Sequence, residues 1–151
     1  MATITKNVED TINEVLETLH DGEKGFHTAA DAVQREVLKN ELMHFSRERA
    51  SFAAALTSAL FDIGSKPKTE GSASGAIHRG WINLMKLKPG DNEHAVLAAC
   101  EQGEDSAVAT YVGAMAAPLP EELSELISTQ YQVVKATHDR IRTLRDAADK
   151  R

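Results

Sequence analysis

The sequence predicts an all-α four-helix bundle with one long crossover between the second and third helices, and three observations predict it. Apolar residues recur at spacings of three and four through four long stretches, the pattern of helices that each bury one stripe. All four prolines, Pro67, Pro89, Pro118 and Pro120, fall into two zones between those stretches, where they break helices. Aromatics make up only 5% of the chain, so the core is Leu, Val, Ile and Ala, which suits helices better than a sheet. At 151 residues, 42% of them hydrophobic and 26% charged, the chain fits one globular domain over residues 1–151. A domain of that size can bury its core without a disulfide or metal to hold it.

The first helix carries Val8, Ile12, Val15, Leu16, Leu19, Glu23, Phe26, Ala30, Val33 and Val37 on one stripe, with Glu23 its one polar interruption. The polar interval Gln34 to Asn40 is the expected turn. A second stripe runs Leu42, Phe45, Glu48/Arg49, Phe52, Leu56, Ala59 and Ile63, and Gly64 closes it as a left-handed helix end. From Ser65 to Gly90 a Gly, Ser and Pro punctuated connection encloses Ala76 to Leu87, including HRGWINLMKL, which reads as a brief helix. A connection this long has a purpose in a compact domain when it travels from one end of the bundle to the other, about 30 Å for a helix of some twenty residues. His78 and Trp81 within it read as packing anchors. The third helix is expected from a cap near Asp91 and buries Leu97, Cys100, Glu104, Val108, Tyr111 and Met115. The fourth has Pro120, Glu121 and Glu122 in its first turn, then Leu123, Ile127, Val134, His138 and Ile141 on one face.

Composition excludes several functions. A net charge of −6 with dispersed basic residues lacks the footprint of a nucleic-acid binder. Arg140, Arg142 and Arg145 read instead as a helix C-terminus complementing its own dipole. No apolar run suits a membrane span or a secretion leader. Cys100 stands alone, so no internal disulfide forms; an inert buried thiol in a reducing compartment such as a bacterial cytoplasm is the expectation. No phosphate-binding loop or catalytic nucleophile signature is present.

What remains is one polar residue near the middle of each helix, on or beside its buried stripe: Glu23, Glu48, Glu104 and His138. Glu101, one turn before Glu104, lies at the edge of the same stripe. A carboxylate in a dry core must protonate, find a cation or bind a metal. Gly22, Gly25 and Gly103 sit beside these positions, and glycine in a helix interior costs about 1 kcal/mol relative to alanine. Such a cost is repaid where something approaches the backbone closely.

Four helices, a long crossover and inward carboxylates resemble the ferritin-like superfamily. More narrowly, DGEKGF, ERASFAAAL, GSASGAIHRGW, CEQGED and HDRIRTLRD are similar to the small bacterial DUF2383 four-helix-bundle family, over nearly the whole chain; that family brings no settled activity with it. The superfamily resemblance implies a di-iron-type site made of one Glu from each of two helices and a Glu-x-x-His from each of the other two. Glu23 and either Glu101 or Glu104 match the single carboxylates. Ser51 stands three residues after Glu48 and Lys135 three before His138, so neither Glu-x-x-His is complete. Glu41-Leu-Met-His44 has the spacing, but its His44 points to the rim near the helix start. The implied metal set is Glu23, Glu48, Glu101, Glu104 and His138, holding iron or manganese as one ion or an asymmetric pair. Ferroxidase or oxygen and peroxide chemistry, and a homodimer, follow from the same analogy. Against this stands Arg49, on the same stripe, which can neutralise Glu23 or Glu104 without metal. On that reading the core polar residues form a salt-bridge network in a non-catalytic structural or interaction protein.

Overall fold

The structure, a computed structural model, describes residues 6–67, 80–87 and 92–149. Among the described residues it is all-α, with the four-helix, ferritin-like arrangement expected from the sequence. Its helices are α1 (Lys6–Ala32), α2 (Glu36–Asp62), α3 (Ile82–Met85), α4 (Glu93–Met115) and α5 (Glu121–Asp149). The four long helices form two hairpins, α1 with α2 and α4 with α5, with α1 packed on α4 and α2 on α5. Packed neighbours are antiparallel. Glu41 of α2 meets Arg140 of α5 while the Phe52 carbonyl meets Gln130. Thr18 of α1 meets Thr110 of α4, whereas Gly25 and Gly103 border the same indole. The short α3 belongs to the crossover and packs on α1 and α4.

The helix ends follow from local chemistry. α1 and α2 are joined by only three residues, and Lys39 donates 2.9 Å to the Ala30 carbonyl, satisfying one of the acceptors left at the end of α1. Arg35, in the connection, forks onto Glu93 at 2.8 and 2.9 Å, tying this corner to the start of α4. α2 ends as its glycine foretold: Gly64 has φ +81, its N–H reaches the Phe61 carbonyl and that of Ser65 the Leu60 carbonyl. This is the paired closure that a left-handed residue permits. α4 begins at Glu93, capped by the Asn92 side chain accepting from Ala95 N at 2.8 Å; the cap expected at Asp91 lies outside the described residues.

The apolar core falls into two clusters. One, at the α1–α2 corner, gathers Phe26, Leu42, Phe45, Trp81, Leu97 and Ile141. The other, at the opposite end, gathers Ile12, Leu16, Leu56, Tyr111 and Ile127. On every long helix the residues between the two clusters are small or polar: Gly22 between Leu19 and Phe26, Ser46 and Arg49 between Phe45 and Ala53, Glu104 between Cys100 and Ala107, and Thr137 and His138 between Val134 and Ile141. A polar layer therefore crosses the bundle at mid-height.

Three expectations about the stripes need correction. Val37 belongs to α2 and is 74% exposed, because the chain breaks at Val33 and the helical period restarts on Leu38, Leu42 and Phe45. Met115 is on the outer face of α4. Glu23 is turned outward, its side chain 42% exposed. The inward spacing after Leu19 runs through Gly22, not Glu23, to Phe26. A glycine has no side chain to mark a stripe, so either register fits the sequence.

Candidate metal centre

At the centre of the polar layer lies a closed ion pair. Arg49 forks onto Glu104 at 2.7 and 2.6 Å, with side chains 1% and 0% exposed. The guanidinium also lies over the Phe26 ring, 5.3 Å from its centroid, a favourable cation–π position. Burial opposes the charge on Arg49, but the Glu104 carboxylate and its two hydrogen bonds outweigh it, and the guanidinium is held above its usual range. Gly22 supplies the space. A Cβ there would come within 3.2 Å of Arg49 Nη1. Below the pair, buried Tyr111 donates 2.7 Å to Gln130, which donates in turn to the Phe52 carbonyl at 3.2 Å. Tyr111 is a hydrogen-bonded core residue whose burial pushes the phenol up, as burial does for the Cys100 thiol.

Along α4 the residues from Glu101 to Asp105 divide their contacts among the surrounding helices. Gln102 accepts from Asn83 of α3. Gly103, with Gly25 of α1, seats the indole of Trp81, which a Cβ on either glycine would overlap. Trp81 is buried and meets Phe26 edge-on at 5.0 Å. The crossover is thus pinned between α1 and α4, and two of the glycines noted in the sequence serve a side chain of this chain. Glu104 faces Arg49, leaving Glu101 and Asp105 to face α5.

There the geometry is open. Glu101, Asp105 and His138 each offer one ligand atom within 4.8 Å of the others. Glu101 and Asp105 are one helical turn apart, so both project from the same face of α4. His138 is buried, whereas the Asp105 side chain is 61% exposed, so the cluster opens at the α4–α5 edge. His138 Nε2 lies 2.7 Å from Asp105 Oδ1 and Nδ1 lies 3.1 Å from Asp139 Oδ1. A carboxylate accepts, so whichever ring nitrogen carries a proton donates it, a choice set by the tautomer. Asp139 also accepts from Lys135 at 2.7 Å, and Lys135 first, then His138, hold its carboxyl below the usual range. Glu101 accepts from Arg142 at 3.4 Å and, more closely, from Arg145. An imidazole oriented by a second carboxylate on its far nitrogen is the arrangement that commonly supports a metal-ligating histidine.

A family model described as a domain of unknown function, DUF2383, matches residues 7–117. The chain belongs to the DUF2383 family. Among curated proteins no sequence matches it. Among solved structures, a point mutant of Mycobacterium smegmatis Dps1 is similar in fold, with a TM-score of 0.71 at 13% identity, covering 91% of this chain and 93% of that one. At that identity the likeness speaks for the fold alone.

Within this DUF2383 chain the five residues singled out from sequence occupy two places and a rim. Glu101 and His138 come together at the α4–α5 edge. Glu104 is one turn away in the sealed pair with Arg49. Glu23 and Glu48 stand at the rim, each 3.9 Å from a histidine of its own helix, His20 and His44. Neither joins the cluster. Glu41, the other half of the Glu-x-x-His spacing, forks with Arg140 at 2.6 and 3.1 Å. His78 lies outside the described residues. Asp105 was missed because an exposed position is invisible to a search along buried stripes. The available signal was its spacing of four from Glu101. Asp21, beside Gly22, is buried, which a stripe drawn through Glu23 does not reveal.

Proposed function

We propose that this ferritin-like protein binds one divalent first-row ion, iron or manganese, at the α4–α5 edge through Glu101, Asp105 and His138. The observation that carries the reading is the convergence of two carboxylates and an imidazole on one point, their ligand atoms within 4.8 Å of one another. Oxygen donors with one imidazole suit iron or manganese rather than a closed thiolate zinc site. Three protein donors leave coordination positions open, and a bound ion would supply Lewis acidity or redox chemistry there. The ion would take the place of the direct contact between His138 Nε2 and Asp105 Oδ1. The centre of the bundle does not fit this role: Glu104 already has both oxygens on a guanidinium, and a cation would have to share the space with Arg49. We therefore place no di-iron chemistry at mid-bundle. The homodimer and the reducing compartment belong to the same reading, and sedimentation velocity checks the first.

Metal content decides the matter. Protein produced in iron-supplemented medium should carry close to one iron or manganese per chain by elemental analysis, and His138→Gln should lose it. Stoichiometric metal retained by His138→Gln would overturn the assignment.

A second reading rests on the sealed pair. Arg49 and Glu104 serve the fold alone, so that function lies on the surface and no metal affects stability. Thermal unfolding unmoved by Fe²⁺ or Mn²⁺ favours it, since the loss on truncating Arg49 is common to both readings.

A further inference from the structure

The edge cluster is already neutralised, and by groups placed to leave. α5 presents His138, Arg142 and Arg145 at spacings of four and three, along one face. Its antiparallel run against α4 sets His138 opposite Asp105 and the two arginines opposite Glu101. The Glu101 side chain is largely buried, at 11% exposed. A carboxylate so placed is costly without a cation beside it. Arg142 and Arg145 are the more exposed partners, and Arg145 has a second carboxylate at hand, 2.9 Å away on Asp146. Long, partly exposed arginines can swing to solvent while keeping their stems packed. Glu101 cannot follow them.

We propose that Arg142 and Arg145 are the resident counter-ions of the metal-free site, and that a divalent cation binding at Glu101, Asp105 and His138 displaces them from Glu101. This rests on the edge-site reading given above and adds its regulation. The chain competes with the metal for its own ligand, so affinity is set by how firmly two arginines hold one carboxylate. The same exchange keeps Glu101 neutralised at every stage, which an acidic cluster without its own cations could not do.

The test uses Mn²⁺ as the probe, titrated calorimetrically into the full chain. Arg142→Ala/Arg145→Ala should bind Mn²⁺ about fivefold or more tightly than wild type, in line with the loss of a competing, partly exposed ion pair. Arg140→Ala removes one positive charge from the same helix, but its partner is Glu41; it should change affinity less than about twofold, as expected of a screened surface charge. Arg142→Lys/Arg145→Lys keeps the charge and loses the fork, and should fall between them. Circular dichroism confirms that each variant is folded. Wild-type binding that the double alanine variant tightens no more than Arg140→Ala does would overturn the exchange while leaving the edge site standing. Binding by the double alanine variant alone would support it, with the arginines closing the site outright. Folded wild type and double variant that both fail to bind Mn²⁺ would overturn the edge-site reading and the exchange with it.

Discussion

Glu104 and Glu101 lie less than one turn apart on α4, and each meets arginine, yet the two sites differ in kind. Glu104 shares both oxygens with one buried guanidinium that has nowhere else to go. Glu101 shares its oxygens with two arginines that reach in from the surface, next to an exposed aspartate and an oriented imidazole. The inner pair can be broken but not exchanged. The outer one, its arginines 54% and 32% exposed, is the one proposed to exchange. A carboxylate inside a bundle is therefore a poor sign of a ligand site by itself; the two sites differ in the exposure of the counter-ion.

The largest effect should come from breaking the sealed pair. Arg49→Ala leaves Glu104 buried and uncompensated and should cost about 3–5 kcal/mol, a fall in Tm on the order of 10 °C for a chain of this length. Arg49→Met/Glu104→Leu removes both charges and should recover most of that loss in a thermal-melt double-mutant cycle. Equal losses in the single and double variants would mean that packing, not charge, holds the layer.

A smaller loss is expected where the crossover is pinned. Gly103→Ala drives a methyl into the Trp81 indole and should cost about 1–3 kcal/mol, as overpacking does. Trp81 is the chain's one tryptophan, so its emission should shift to the red as the indole leaves its seat. An unshifted spectrum would show that α4 yields instead and that the seat is not tight.

At the edge the sign reverses, with ligand binding more sensitive than stability. Asp105 is the exposed member of its pair with His138, and Asp105→Asn keeps an acceptor oxygen there, so it should cost only about 1 kcal/mol, as for one hydrogen bond, while weakening Mn²⁺ binding about tenfold or more. The smallest effect concerns Asp139, exposed beside Lys135 and His138. Its carboxyl is lowered on folding, so its contribution is present above the unfolded carboxylate range and is lost as pH falls through the folded value. Lys135→Ala should raise the Asp139 pKa toward its ordinary value in an NMR titration, and no change would remove Lys135 as the cause.

Much of this was legible in the sequence, for identifiable reasons. The four helices, the crossover and the Gly64 stop follow from spacing and from breakers, because burial of one stripe per helix leaves a periodic record. The mid-height polar layer was legible too, through Arg49, Glu104 and His138 sitting where Leu or Val was due. The register of α1 at mid-height was not: Gly22 is inward and Glu23 outward, and a spacing of three or of four fits both. Nor could one chain's sequence show which helix each carboxylate faces. Glu101 and Asp105 turn to α5 while Glu104 turns to α2, a difference of about 60° in helical phase from Glu101 that only packing resolves.

The central claim is that a metal belongs at the α4–α5 edge and not between all four helices. Calorimetric Mn²⁺ titration of wild type, Asp105→Asn and Arg49→Met/Glu104→Leu tests it most directly. The edge site requires about tenfold or greater weakening in Asp105→Asn, as for loss of one ligand, and unchanged affinity in the core double variant. Wild-type affinity in Asp105→Asn, with binding lost in the core variant, would contradict it.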